Sequence, residues 1–344
     1  MNDAQLDSTQ EMVRRPTSNK LSYTPGGQLS RWSLVLIWGV VPLLVIITLY
    51  TSPLTAAFLP FLLMPTLSLL WYDRSHPGNQ RTDAETLLWT YALTGTVGIT
   101  SVVIIQSIIS YGAAYLLFQS ETDRFFEEFG KQERDIAQMD PDALAARGEM
   151  ARQPRYWIFL AVFAFVVAGA VEESLKYYAL QCARHYGRIA HPKNLFTLAM
   201  AAGLGFSTTE GIGFVYATVQ EDQPLGRIVQ TAAERVALGP VTHALTAGLI
   251  GLNVIRRDLR GERLGFSQVI GNSVLFHGGF NFIVMGVTAL EGNVGWIHPR
   301  GLSLLFILTV AVGFVGALTV TVRRRLSRQT YFEVSVGYLT PTSL

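Results

Sequence analysis

Three observations predict an all-α fold, a polytopic transmembrane helix bundle of about eight spans. The charged fraction of the 344-residue chain is 15%, well under the roughly 25% of soluble domains. Its mean hydropathy is positive, at +0.30. Its apolar residues also come in blocks rather than alternating, each about 18 to 30 residues long, the length a helix needs to cross roughly 30 Å of hydrocarbon.

Taken in order, residues 1–31 are polar, rich in Ser, Thr and Gln, and lack the short apolar run of a secretion signal. They read as a disordered cytoplasmic tail. The N-terminal membrane helices, 32–118, comprise spans at 33–50, 55–72 and 86–118. Pro60 and Pro65 interrupt the second, which pairs with the first as a tight hairpin. The third is too long for a perpendicular crossing, so it tilts or extends into water. Residues 119–156 form an extramembrane polar loop with six basic and nine acidic residues. Asp140 followed by Pro141 marks a helix start inside it, and the loop as a whole reads as a solvated spacer more readily than as a lid. Spans at 157–179, 195–219, 228–255, 266–290 and 301–322 make up a 157–322 core, followed by a cytoplasmic tail, 323–344.

The loops alternate in basic content. Arg14, Arg15, Lys20 and Arg31 precede the first span, and Arg74 with Arg81 follow the second. Later basic clusters are Arg184, Arg188 and Lys193, then Arg256, Arg257, Arg260 and Arg263, then Arg323, Arg324, Arg325 and Arg328. The intervening short loops hold little beyond Arg227 and Arg300, so both termini are expected in the cytoplasm. A net charge of +2 without basic–aromatic clusters excludes a nucleic-acid surface. Cys182, the one cysteine, excludes an internal disulfide or a cysteine zinc knuckle.

Ionisable groups inside apolar spans are costly and mark function by default. Four consecutive spans carry them: Glu172, Glu173 and Lys176 on the fourth, Glu210 on the fifth, His243 on the sixth and His277 on the seventh. Counting about 1.5 Å per residue from the span ends puts them in one layer, to within about a turn. Lys176 is one turn from both glutamates and can neutralise either. Phe206 precedes Glu210 by one turn, and Asn281 follows His277 by one turn. Pro240 loosens the backbone before His243. Ala199, Gly203, Ser207 and Gly211 recur every four residues, a small-residue stripe suited to close helix packing. Glu234 and Arg235, nearer the end of their span, read as a gating or structural pair. His76, His185, His191 and His298 fall in loops and carry no signal.

This set suits peptide hydrolysis in two ways. In one, Glu210, His243 and His277 bind a zinc ion and Glu172 or Glu173 moves the proton of an attacking water. In the other, the glutamates activate water directly while His243, His277 and Asn281 stabilise the oxyanion. A proton- or cation-coupled transporter is the rival class, although no internal repeat supports it.

Four motifs in order resemble those of the PrsW family of intramembrane proteases, and more distantly the CAAX prenyl-endopeptidases. They are EESLK from Glu172 to Lys176, FSTTE from Phe206 to Glu210, HALTAG from His243 and HGGFN from His277. The resemblance covers about residues 157–290 and departs at Asn281, where the family often has an acidic residue. It implies a membrane peptidase acting on membrane-protein substrates in the lipid bilayer. The implied catalytic groups are Glu172, Glu173, Lys176 and Asn281, and the implied metal ligands Glu210, His243 and His277.

Overall fold

The computed structural model describes residues 29–335 except Ala190, Trp296 and Arg300. All but the last three residues of the expected 1–31 tail, and the end of the C-terminal tail, lie outside the described residues. No strand occurs among those described, and eight of the helices are long and apolar enough to cross a membrane.

In chain order the helices are α1 (Arg31–Thr51), α2 (Pro53–Ser75), α3 (Ala84–Phe129), α4 (Glu133–Ala137), α5 (Pro141–Arg152), α6 (Pro154–Tyr186) and α7 (Pro192–Gln220). They continue with α8 (Leu225–Ala237), α9 (Gly239–Leu259), α10 (Phe266–Leu290) and α11 (Gly301–Ser335). The sixth expected span is thus two helices, parted at Leu238 with Pro240 in the first turn of the second. Pro240 lacks an N–H and tolerates a helix start better than an interior. The last helix runs on through the arginines into the expected tail. Three membrane helices contain π-helical stretches, Leu36–Val40 in α1, Thr94–Gly98 in α3 and Phe163–Ala170 in α6.

The chain divides into two compact units. One comprises Met1–Ile99, Leu175–Ile270 and Thr319–Leu344. Its centre is α7, buried along most of its length. The small-residue stripe performs as expected. A Cβ at Gly203 would overlap the His243 carbonyl oxygen, and one at Gly251 would stand 2.9 Å from the Ala199 Cβ, so α7 and α9 touch almost backbone to backbone. On another side of α7, Gly205 meets the Tyr91 carbonyl, and a Cβ at Gly95 would lie 2.7 Å from the Gly205 oxygen. The carbonyl of Gly95, in the π stretch, accepts a 2.7 Å hydrogen bond from Thr209 Oγ1. His191 caps α7: its Nδ1 accepts from Lys193 N at 3.1 Å, and its own N–H donates to Asn194 Oδ1 at 2.8 Å. Neither His191, a buried cap, nor His185, within α6, is a loop residue.

The other unit comprises Thr100–Ser174 and Gly271–Leu318. Phe118, Phe125, Tyr156, Phe159, Met150, Ala151 and Met285 form its core. The Phe118 and Phe125 rings stack with centroids 4.1 Å apart, and Phe159 meets Phe125 edge-on at 4.7 Å. Within α6, Gly169 allows close approach to α10, where a Cβ would stand 3.3 Å from the Val274 oxygen.

Residues 119–156 belong to this core and are not a solvated spacer. Asp140 caps α5 as expected, accepting from Ala143 N at 2.8 Å. Arg147 on α5 is only 2% exposed. It donates to the Glu128 carbonyl at 2.6 Å and Glu128 Oε2 at 2.8 Å, and also to the Val294 carbonyl. Tyr156 Oη accepts from Gly295 N at 2.9 Å.

Candidate active site

Each unit holds one carboxylate–imidazole pair, buried in the second and partly exposed at Glu210 in the first. In the second unit, α6 delivers Glu172 and Glu173 immediately after its π stretch, and α10 delivers His277. Wider π turns shift the helical phase and often accompany functional positions. Glu173 is fully buried, and its Oε1 lies 2.8 Å from His277 Nδ1. The other ring nitrogen, Nε2, faces Glu172 Oε2 at 3.6 Å. The two glutamates therefore divide their work at opposite ends of one imidazole: Glu173 fixes its orientation and Glu172 stands at its open nitrogen. Gln106 on α3, an uncharged residue that a search for ionisable groups passes over, donates from Nε2 to Glu172 Oε1 at 3.1 Å.

In the first unit, α7 presents Glu210 and α9 presents His243. Glu210 Oε2 lies 3.3 Å from His243 Nε2 and 3.4 Å from Arg235 Nη1. Arg235 thus pairs with Glu210 rather than Glu234, which instead accepts from Gln230 Nε2 at 3.0 Å. The Arg235 guanidinium also lies 3.5 Å from the Phe214 ring centroid. His243 Nδ1 is met by Lys176 Nζ at 2.9 Å, and the ring is flanked by Phe206 at 5.3 Å between centroids. Lys176 lies one turn beyond Glu172 on the same helix, and its Nζ reaches an imidazole on α9.

The pairs share a layout but not a tautomer. Glu173 accepts from His277 Nδ1–H, which leaves the His277 Nε2 lone pair facing Glu172, whereas Lys176 donates to His243 Nδ1, which leaves Nε2–H facing Glu210. Zinc bonds of about 2.0 to 2.2 Å in tetrahedral array place ligand atoms roughly 3.4 Å apart. The 3.6 Å spacing matches that figure, and a carboxylate on Nδ1, as at His277, is the usual support for a ligating histidine. The donor chemistry thus fits a zinc ion. Asn281, one turn past His277, is half-buried, and its amide forms no hydrogen bond with Glu172, Glu173 or His277.

An all-helical polytopic membrane protein with carboxylate–imidazole pairs on its spans is of the class of membrane-embedded hydrolases or ion-coupled transporters. Residues 144–323, just over half of the chain, match the profile described as PrsW family intramembrane metalloprotease, and the chain belongs to that family. No curated protein and no solved structure matches it. Membership selects the peptidase over the transporter and implies a metal cofactor and membrane-protein substrates.

Proposed function

We propose that this peptidase uses a zinc ion with Glu172 and His277 among its ligands, and Glu210 as general base. The observation carrying this reading is the Glu172–His277 pair, in which Glu173 accepts from His277 Nδ1–H and leaves the Nε2 lone pair 3.6 Å from a Glu172 oxygen. A catalytic zinc takes three protein ligands and leaves one position open.

The choice between carboxylates follows from their neighbours. Glu172 is 5% exposed and faces an imidazole. The Glu210 oxygen nearest His243 is already shared with a guanidinium, which draws charge from it and leaves it a weaker ligand. The same arginine places a guanidinium 3.4 Å from the carboxylate that acts as base. Spacing along the chain suggests the opposite assignment, with Glu210 as ligand and Glu172 as base.

The metal supplies Lewis acidity toward water and the scissile carbonyl. Glu210 takes the proton of the attacking water and returns it to the departing amine. Glu173 accepts from His277 Nδ1–H and so directs the Nε2 lone pair away from itself. Lys176 holds the His243 ring and places positive charge beside it. Asn281 serves as a polar wall residue of the substrate path. Residues 157–322 form the catalytic core, and the Lys/Arg bias of the loops supports cytoplasmic termini, testable by protease protection of terminal tags.

Metal analysis by mass spectrometry of detergent-purified protein tests the scheme. Wild-type chain and Glu210→Gln should each hold about one zinc, while Glu172→Gln and His243→Ala/His277→Ala lose it. Glu210→Gln should nevertheless fail to cleave a single-span membrane protein that the wild type cleaves. Wild-type protein without metal that still cleaves would overturn the zinc reading in favour of glutamates acting on water directly.

A further inference from the structure

Gln106 stands in an apolar stretch of α3, where Ile104, Ile105 and Ile108 are 56%, 45% and 68% exposed and so face lipid. A primary amide there is unfavourable unless its N–H groups find acceptors. They find two. Nε2 donates at 3.1 Å to the Val167 carbonyl and at 3.1 Å to Glu172 Oε1. Both partners are pure acceptors, so the amide must present its nitrogen to them. Val167 lies within the π stretch Phe163–Ala170, where the wider turn takes a carbonyl out of the regular helical ladder. One side chain therefore secures both the irregular backbone and the carboxylate five residues further on.

We infer that Gln106 is a positioning residue for Glu172. By holding Oε1 it leaves Oε2 directed at His277 Nε2, 3.6 Å away. Gln106 lies outside residues 144–323, so the family match assigns it nothing. The inference rests on the reading of Glu172 as a metal ligand, and supports of this kind are worth about 10- to 100-fold in metal affinity.

The test is titration of detergent-solubilised apoprotein with Zn2+ against a competing chelator, and with Co2+ while its visible absorption is followed. Wild type, Gln106→Leu, Glu172→Gln and the double variant are compared. Gln106→Leu should bind both ions at least about tenfold more weakly and show an altered Co2+ spectrum. The double variant should bind no more weakly than Glu172→Gln, because the amide acts only through that carboxylate. Should Gln106→Leu fail to fold, Gln106→Glu preserves the size of the side chain and offers at most one donated proton, and the same weakening is expected. A variant that melts earlier yet keeps wild-type affinity and spectrum overturns the inference, because the amide then serves the Val167 carbonyl alone. Wild-type protein that takes up neither ion overturns the metal reading itself, and is told apart by the failure of the unsubstituted chain.

Discussion

Two glycines on α7 should respond in opposite ways to the same methyl group. At Gly203 an added Cβ would overlap the His243 carbonyl oxygen and stand 2.8 Å from its carbon and 3.0 Å from the Ala247 Cβ. The obstruction is backbone, which cannot rotate aside as a side chain would. Restoring ordinary contact requires α9 to retreat by roughly 0.5 to 1 Å, at the upper end of the 1–3 kcal/mol that overpacking costs. Helix propensity returns about 1 kcal/mol of this, leaving a net loss of about 2 kcal/mol. At Gly213 nothing lies within 4 Å of the added atom, so Gly213→Ala should gain about 0.5 to 1 kcal/mol. The two variants thus differ by roughly 3 kcal/mol, over 100-fold in the folded-to-unfolded ratio. Reversible unfolding in detergent micelles, by steric trapping or near-UV circular dichroism, reads this directly. Gly203→Ala should also lose activity out of proportion to its stability, since displacing a reacting group by about 1 Å costs on the order of 100-fold. Equal stability of the two alanine variants would refute the packing argument, because it would mean α9 yields without cost.

His191, whose pKa is depressed to about 4 by burial and then by Lys193 and His76, makes the first unit sensitive to acid. Its folded pKa lies below the unfolded value, so stability is complete above about pH 6.5 and falls as pH drops toward 4. About 1–2 kcal/mol should be gone by pH 5 after discounting for solvent screening, and His191→Asn, which keeps a cap without the titration, should flatten a melting-temperature profile across that range. Arg147→Ala should cost about 3 kcal/mol by leaving Glu128 and the Val294 carbonyl short of a buried donor, with Arg147→Lys recovering part of it. Limited proteolysis of residues 119–156 should show cleavage in the alanine variant before the lysine one. Glu173→Gln should retain the fold but weaken zinc by about 10- to 100-fold, measured by chelator competition, because a neutral amide holds the His277 Nδ1 proton less firmly.

The eight spans were legible because hydropathy over about twenty residues is a summed signal that local irregularity cannot erase. The paired carboxylates and histidines were legible because ionisable groups are rare in such runs. What escaped was set by partners distant along the chain. Helical spacing ties Lys176 to Glu172 and Glu173, and sequence adjacency ties Arg235 to Glu234. Yet Lys176 reaches His243 and Arg235 reaches Glu210, because packing against other helices decides where a long cationic side chain ends. Charge density made residues 119–156 look solvated, while the apolar faces of Phe125, Met150 and Ala151 place them in a core. Gln106 escaped because an uncharged amide in an apolar run gives no local sign of which carboxylate it will meet.

The π stretches follow the same logic and bind it to the site. A widened turn in hydrocarbon leaves carbonyls that water cannot satisfy, and a polar side chain from a neighbouring helix can satisfy them. In the first unit that donor is Thr209, on the Gly95 carbonyl, and the next residue is Glu210. In the second it is Gln106, on the Val167 carbonyl, and the same amide holds Glu172. The irregular turns in α3 and α6 thus recruit polarity close to a glutamate, which the π stretch Leu36–Val40 in α1 does not share. Straightening the second turn with its length kept would change the phase of Glu172 and Glu173 about the α6 axis and so move both relative to His277. The irregular backbone and the acidic pair are therefore one feature, and neither can be changed without the other.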